Sequence, residues 1–154
     1  MKYSPRSREQ SGFTTIELIL LVVVIGILVT LIVTTRAGVQ QKQRNAERER
    51  DVKELRDGLE GYFAGNNRYP SLAELNNAGW RSTHLKALEG DAFRDPLASD
   101  GGLTAKPQTN VYAYSVTSAS GTECGSDQGK PPCTQYTLTA TMEGGGIYTK
   151  TSLN

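Results

Sequence analysis

Hydrophobic and polar positions change character three times along this chain. From Ile16 to Val33 nearly every residue is apolar, Glu17 is the single charge, and no charged residue occurs from Leu18 to Thr35. Helical at ~1.5 Å per residue, those positions would span about 27 Å, close to the ~30 Å hydrocarbon core of a bilayer. From Gln40 to Asp51 the chain is polar and charged. Then Val52, Leu55, Leu59 and Tyr62 or Phe63 recur at the spacing of one helix face. Arg50–Glu54, Lys53–Asp57, Arg56–Glu60 and Glu49–Lys53 are i,i+4 pairs, each worth a few tenths of a kcal/mol to a helix. No proline stands between Phe13 and Pro70. The pattern predicts one helix from about Thr14 to about Ala64, roughly 75 Å long. Its first half is membrane-embedded, its middle is solvated, and its last three turns pack on a globular domain. The charge run 44–51 reads as a solvated face. Gly26 and Gly38 are expected to interrupt the helix, each at up to ~1 kcal/mol relative to Ala.

Beyond the helix the period shortens. Gly65-Asn66-Asn67 supplies a left-handed cap, and Arg68-Tyr69-Pro70 is extended before the proline. Ser71 and Glu74 form a capping box that opens a short helix to about Ala78, closed by Gly79. A turn is expected over Leu85–Leu88 and a loop over Asp95–Gly102. Tyr112, Tyr114 and Val116 alternate with small residues. Tyr136, Leu138, Ala140 and Met142 alternate with Thr, and Ile147–Thr151 follows the turn Gly144–Gly146. The expected class is α+β: a long N-terminal helix packed on a small antiparallel β-sheet head. The segments are a leader (1–12), a transmembrane helix (13–35), its amphipathic continuation (36–65) and a globular head (66–154).

Charge adds little at the level of the whole chain. Seventeen basic residues against sixteen acidic ones leave a net charge of +1, so no bulk attraction to nucleic acid is implied. No basic stripe with interleaved aromatics suggests direct nucleic-acid binding either. Locally, the leader carries Lys2, Arg6 and Arg8 against Glu9. Three readings of leader and apolar run compete: a secretory signal, a plain membrane anchor, or a leader removed at Gly12–Phe13 so that the run stays on the mature chain. The run is long for a signal h-region, and Glu17 sits badly in one. The positive-inside count opposes an inside N-terminus, with three Lys and Arg before the span and five over Arg36–Arg50. The two cysteines, Cys124 and Cys133, and the strand-rich tail place the C-terminal domain outside. There the pair is expected as a disulfide, worth roughly 2–3 kcal/mol by chain entropy, and a reduced cytosolic pair is the alternative.

A carboxylate at the mouth of an apolar span costs a few kcal/mol without a partner. Cleavage after Gly12 would create an ammonium on Phe13, one helical turn from Glu17. That ammonium pairs with Glu17 within one chain or between neighbours.

Gly12-Phe13-Thr14-Thr15-Ile16-Glu17, with the apolar continuation Leu18–Leu28, resembles the N-terminal signature of type IV pilins and pseudopilins. The Tyr-Pro segment, the Asp-Pro loop and the closing strands resemble, less specifically, the heads of small pilins and of pseudopilins of the type II secretion kind. The resemblance implies cleavage after Gly12 and N-methylation of Phe13 by a prepilin peptidase. It implies filament assembly through Phe13, Glu17 and Gly26, with Glu17 compensating a neighbour's N-terminal charge. It also implies an assembly ATPase and a membrane platform protein as partners. The precursor would lie in the cytoplasmic membrane with its head outside, and the product would be a surface or periplasmic filament. A pilus serving adhesion, motility or DNA uptake, a type II secretion pseudopilus, and a monomeric anchored binding module are the readings carried forward.

Signs of other chemistry are few. No nucleotide-binding, zinc-protease or serine-hydrolase motif occurs, so no enzymatic role and no cofactor are expected. His84 stands alone and reads as a surface or structural residue. Asp95 and Asp100, in a Gly-rich loop, are weak calcium candidates without regular ligand spacing. Some pseudopilins bind calcium in a comparable region. Trp80, Tyr69 and Phe93 read as core or interface residues.

Overall fold

The computed structural model describes residues 12–88, 90–125 and 129–153, without the side chains of 32–37. The predicted leader therefore lies outside the described residues, except for Gly12. Helix α1 runs Thr15–Asn66. The chain divides into two compact units, Met1–Gln40 and Gln41–Asn154.

In the first unit α1 is unbroken through Gly26 and Gly38. The expected interruptions do not occur, because a cost of up to ~1 kcal/mol per glycine does not open a long helix. The Thr30 hydroxyl also bonds the Gly26 carbonyl, at 2.9 Å. Every described side chain of α1 up to Leu31 is exposed. Among the described residues, no helix is long and apolar enough to cross a membrane. The end of the predicted span, 32–35, lies among the side chains not described.

The second unit builds its core on the predicted apolar stripe. Val52, Leu55, Leu59 and Tyr62 of α1 are buried against Tyr69, Leu75, Phe93, Tyr112, Tyr114, Tyr136 and Leu138. Phe63 is half-buried and stacks on Tyr69, ring centroids 4.5 Å apart. The helix ends where Asn67 turns to φ 53 and its amide bonds the Phe63 carbonyl at 2.8 Å. Helix α2, Leu72–Asn76, opens with the predicted Ser71–Glu74 capping box.

Helix α3, Ala78–His84, was not expected. Gly79 does not close the short helix. The chain breaks earlier, at the extended Asn77, whose side chain accepts from the Trp80 amide and so caps the next helix. A 3-10 turn follows at Gly90–Phe93.

The sheet comprises β1 (Leu103–Thr104), β2 (Tyr112–Thr117), β3 (Gln135–Thr141) and β4 (Ile147–Thr151), in the order β1-β2-β3-β4. The three predicted strands form an antiparallel meander, with Tyr114 opposite Leu138 and Leu138 opposite Lys150. The expected all-antiparallel sheet is corrected: β1 pairs with β2 in parallel. Two residues carry too little pattern to read as a strand. Asn76 holds them, its side chain bonding both the amide and the carbonyl of Leu103 at 2.8 and 2.9 Å.

The charge run 44–51 is the largest departure from expectation. Arg48 is fully buried and Asp51 nearly so, because acids and a tyrosine from distant segments meet them. Of the four predicted i,i+4 pairs, only Lys53–Glu49 closes, at 3.7 Å.

Candidate assembly surface

The sequence places one carboxylate at the start of an apolar helix, and the structure shows what holds it. Thr14 precedes the first helical residue. Its amide and hydroxyl approach Glu17 Oε2 at 3.3 and 3.4 Å, and its hydroxyl accepts from the Glu17 amide at 3.4 Å. This is a long but reciprocal capping box, in which N-cap and third residue each satisfy the other's free N–H. The acid also lies where the helix dipole favours negative charge. The signal was legible in Thr14-Thr15-Ile16-Glu17, since the rule that found Ser71–Glu74 finds this pair too. Phe13 is joined to Gly12 by an amide, and Glu17 bonds its own helix start.

Around that acid the surface is apolar. Phe13 is 83% exposed, and it lines one shallow concavity with Ile16, Glu17, Leu20 and Val24. Leu18 through Leu31 present large apolar side chains on all sides of the helix. A helix apolar all round requires lipid or other protein about it. A Cβ at Gly26 would meet nothing within 4 Å, so this position is open to a neighbour.

In the second unit a charge network holds the head to α1. Arg48 donates to Asp95 at 2.6 and 3.0 Å and to Glu143 at 2.9 Å. Arg44 grips the same Glu143 through two bonds of 2.6 and 2.7 Å, and Asn45 bonds its backbone amide and carbonyl. Hydrogen bonds from Arg44, then Arg48, pull the Glu143 carboxyl down to about 2. Burial raises Asp51, against the pull of the 2.7 Å bond from the Tyr112 hydroxyl. None of these partners of α1 could be found by periodicity.

The other predicted positions are placed as follows. Cys124 and Cys133 form a disulfide with Cα atoms 5.1 Å apart. Asp95 spends both carboxylate oxygens on Arg48, and one of them also accepts from the Leu97 amide. Asp100 is exposed beside Ser99. Among the described residues, no three His, Cys, Asp or Glu side chains are grouped to hold a metal. His84 stacks on Trp80 at 4.5 Å and its ring nitrogen meets the Trp80 carbonyl. Tyr69 and Phe93 are core residues.

Comparison with known proteins is consistent with this arrangement. The chain is 36% identical over 69 residues to the type II secretion system core protein G of Aeromonas hydrophila. That match covers 45% of this chain and 48% of the relative. It is 33% identical over 72 residues to the protein of the same name from Pectobacterium carotovorum subsp. carotovorum, covering 47% of this chain and 46% of that one. With the Klebsiella pneumoniae protein of that name it shares 31% identity over 110 residues, 66% of this chain and 79% of the relative. The chain thus spans about half the length of the first two relatives and more than three quarters of the third. No family model matches the chain, and no solved structure does.

Proposed function

The chain belongs to the family of type II secretion system core protein G, and from that premise we propose that it is a pseudopilin, the structural subunit of a secretion filament. One observation carries this reading: residues 15–31 of α1 expose apolar side chains on every face, with Glu17 as their one charge, a single turn beyond Phe13. Before assembly the segment 18–35 lies in the membrane. Afterwards the same surface packs against copies of itself. Cleavage after Gly12 replaces the Phe13 amide with an ammonium, subject to N-methylation by the peptidase that cuts there. Glu17 then leaves its long bonds to Thr14 for the N-terminal charge of a neighbouring subunit. Exchanging a 3.3–3.4 Å cap for an ion pair in apolar surroundings favours the assembled state, because each unpaired charge there costs several kcal/mol. The subunit performs no catalysis. The assembly ATPase and platform protein supply the work, and the head faces the periplasm. The family match favours a secretion pseudopilus over an adhesive pilus.

Glu17→Ala tests the reading. The variant should insert in the membrane and keep a folded head, yet lose filaments on electron micrographs of cells overproducing the subunit. Filaments at wild-type yield would remove the role given to Glu17. N-terminal sequencing should find Phe13 at the mature start; a start near Gly38 would overturn the whole reading.

A further inference from the structure

We propose that the free edge of β4 takes up an extended strand of a different protein, one that alternates acidic with β-branched or other apolar side chains.

β4 ends the sheet order β1-β2-β3-β4. Its bonds to β3 fix which way each residue faces. The Ser152 amide bonds the Tyr136 carbonyl at 3.1 Å, and the Met142 amide bonds the Gly146 carbonyl at 3.0 Å. Between them the register runs unbroken from Thr141–Ile147 to Thr137–Thr151. Alternate pairs of an antiparallel ladder exchange hydrogen bonds, so Tyr148 and Lys150 spend their backbone groups on β3. The N–H and C=O groups of Ile147, Thr149 and Thr151 point away from the sheet, and among the described residues nothing bonds them. Three donors and three acceptors in a row at strand spacing match the backbone of another strand.

Proteins usually blunt such an edge with a proline, a bulge, a charge or shortness. β1, at the opposite edge, has only two residues. β4 has five, with no proline and no bulge. The side chains of Ile147, Thr149 and Thr151 are exposed, β-branched and uncharged. The charges stand on the other face, toward α1. There Tyr148 packs against the core, with the Lys53 ammonium 5.8 Å and the Lys150 ammonium 5.3 Å from its ring centre. Glu49 meets Lys53 at 3.7 Å, and Lys150 forms no ion pair among the described residues.

Residues opposite each other on paired strands share a face. An added strand therefore sets one row of side chains beside Ile147, Thr149 and Thr151, where apolar and β-branched residues fit. It sets the other row beside Tyr148, Lys53 and Lys150, where an acid is favoured. The same charges disfavour a second copy. In the antiparallel register that pairs all three outward residues, Thr149 meets its own counterpart. The two Lys150 side chains then come together diagonally on the face that already holds Lys53. Lys150 thus works against self-pairing and for an acidic partner. Main-chain bonds supply the affinity in this mode, so partners of differing sequence fit when they carry the pattern.

The test uses the full chain in detergent micelles and two fluorescein-labelled peptides, Thr-Val-Glu-Val-Glu-Val-Thr and its counterpart with Lys in place of Glu. By fluorescence anisotropy the Glu peptide should bind about tenfold or more tightly than the Lys peptide, the worth of one charge contact. Lys150→Glu should reverse that order. At saturation, amide exchange should slow at Ile147, Thr149 and Thr151, the residues that face outward. Thr149→Pro removes one outward N–H and leaves the ladder to β3 intact. It should weaken binding about fivefold or more, with circular dichroism showing that the head is folded. Lys150→Glu and the exchange measurement stand even where the proline variant misfolds. Equal affinity for the two peptides overturns the proposal, and so does binding that leaves the three amides unprotected. Protection that rises with protein concentration in the absence of peptide also overturns it, by assigning the edge to a second copy.

Discussion

Arg48 and Asp95 meet through bonds of 2.6 and 3.0 Å, with each side chain only 1% exposed. A guanidinium and a carboxylate so enclosed satisfy each other's geometry through two parallel bonds. Removing one partner leaves the other charged in the core, which typically costs about 3–5 kcal/mol. Arg48→Met should therefore destabilise the head by about that much in urea titration. Arg48→Met combined with Asp95→Asn should lose less than the sum of the two single changes, because no bare charge remains. Additive losses would mean the pair does not act as a unit.

Acid should loosen the clamp between α1 and the β3–β4 turn. The Glu143 carboxyl titrates at about 2, well below its ordinary 4.5, under the hydrogen bonds from Arg44 and Arg48. A carboxylate depressed on folding contributes stability above its unfolded value and loses it as pH falls toward the folded one. Glu74, also lowered once Arg68 and the capping box outweigh its burial, acts in the same direction. Asp51, raised by burial, acts in the opposite direction. Melting temperature should fall between about pH 4.5 and 2, and Glu143→Gln should flatten part of that slope. An unchanged slope in the variant would contradict the assignment.

Gly58 is a packing glycine. A Cβ there would run into the side chain of Leu88. Gly58→Ala gains up to ~1 kcal/mol of helix propensity, but the forced shift of Leu88 should cost about 1–3 kcal/mol. The expected outcome is a net loss in denaturant midpoint that Leu88→Ala largely relieves. A stabilised Gly58→Ala would show that Leu88 moves aside freely.

The Cys124–Cys133 bridge closes the loop that presents the Cys133 carbonyl to the Tyr69 amide at 2.7 Å. Replacing both cysteines with serine should lower stability by roughly 2–3 kcal/mol by chain entropy. Amide exchange at Tyr69 should rise with it. Protection of Tyr69 equal to wild type would mean the loop is held by its other contacts.

Along the chain, legibility tracked how local the physics is. The 3.6-residue stripe Val52, Leu55, Leu59, Tyr62 became the buried face of α1, and the period-two runs became β2, β3 and β4. The capping boxes at Thr14–Glu17 and Ser71–Glu74 are three-residue events, readable wherever the rule is applied. Asn77 lies at the margin, since ending one helix and capping the next needs only the residues beside it. The two-residue strand β1 escaped, because its pairing depends on Asn76, far away in sequence.

The sequence by itself determined a long helix that begins with a placed acid in an apolar run, a Tyr-rich strand meander after it, and a cysteine pair suited to one bridge. Those features arise from periodicity, capping and short spacing, which act between near neighbours. Only the tertiary structure decided that one side of the charged middle of α1, with Arg48 and Asp51, is an anchor, while Glu47 and Arg50 stay solvated. Arg48 finds Asp95 47 positions away and Glu143 95 positions away. A buried charge is tolerable only where such remote partners converge, and no local pattern encodes that convergence.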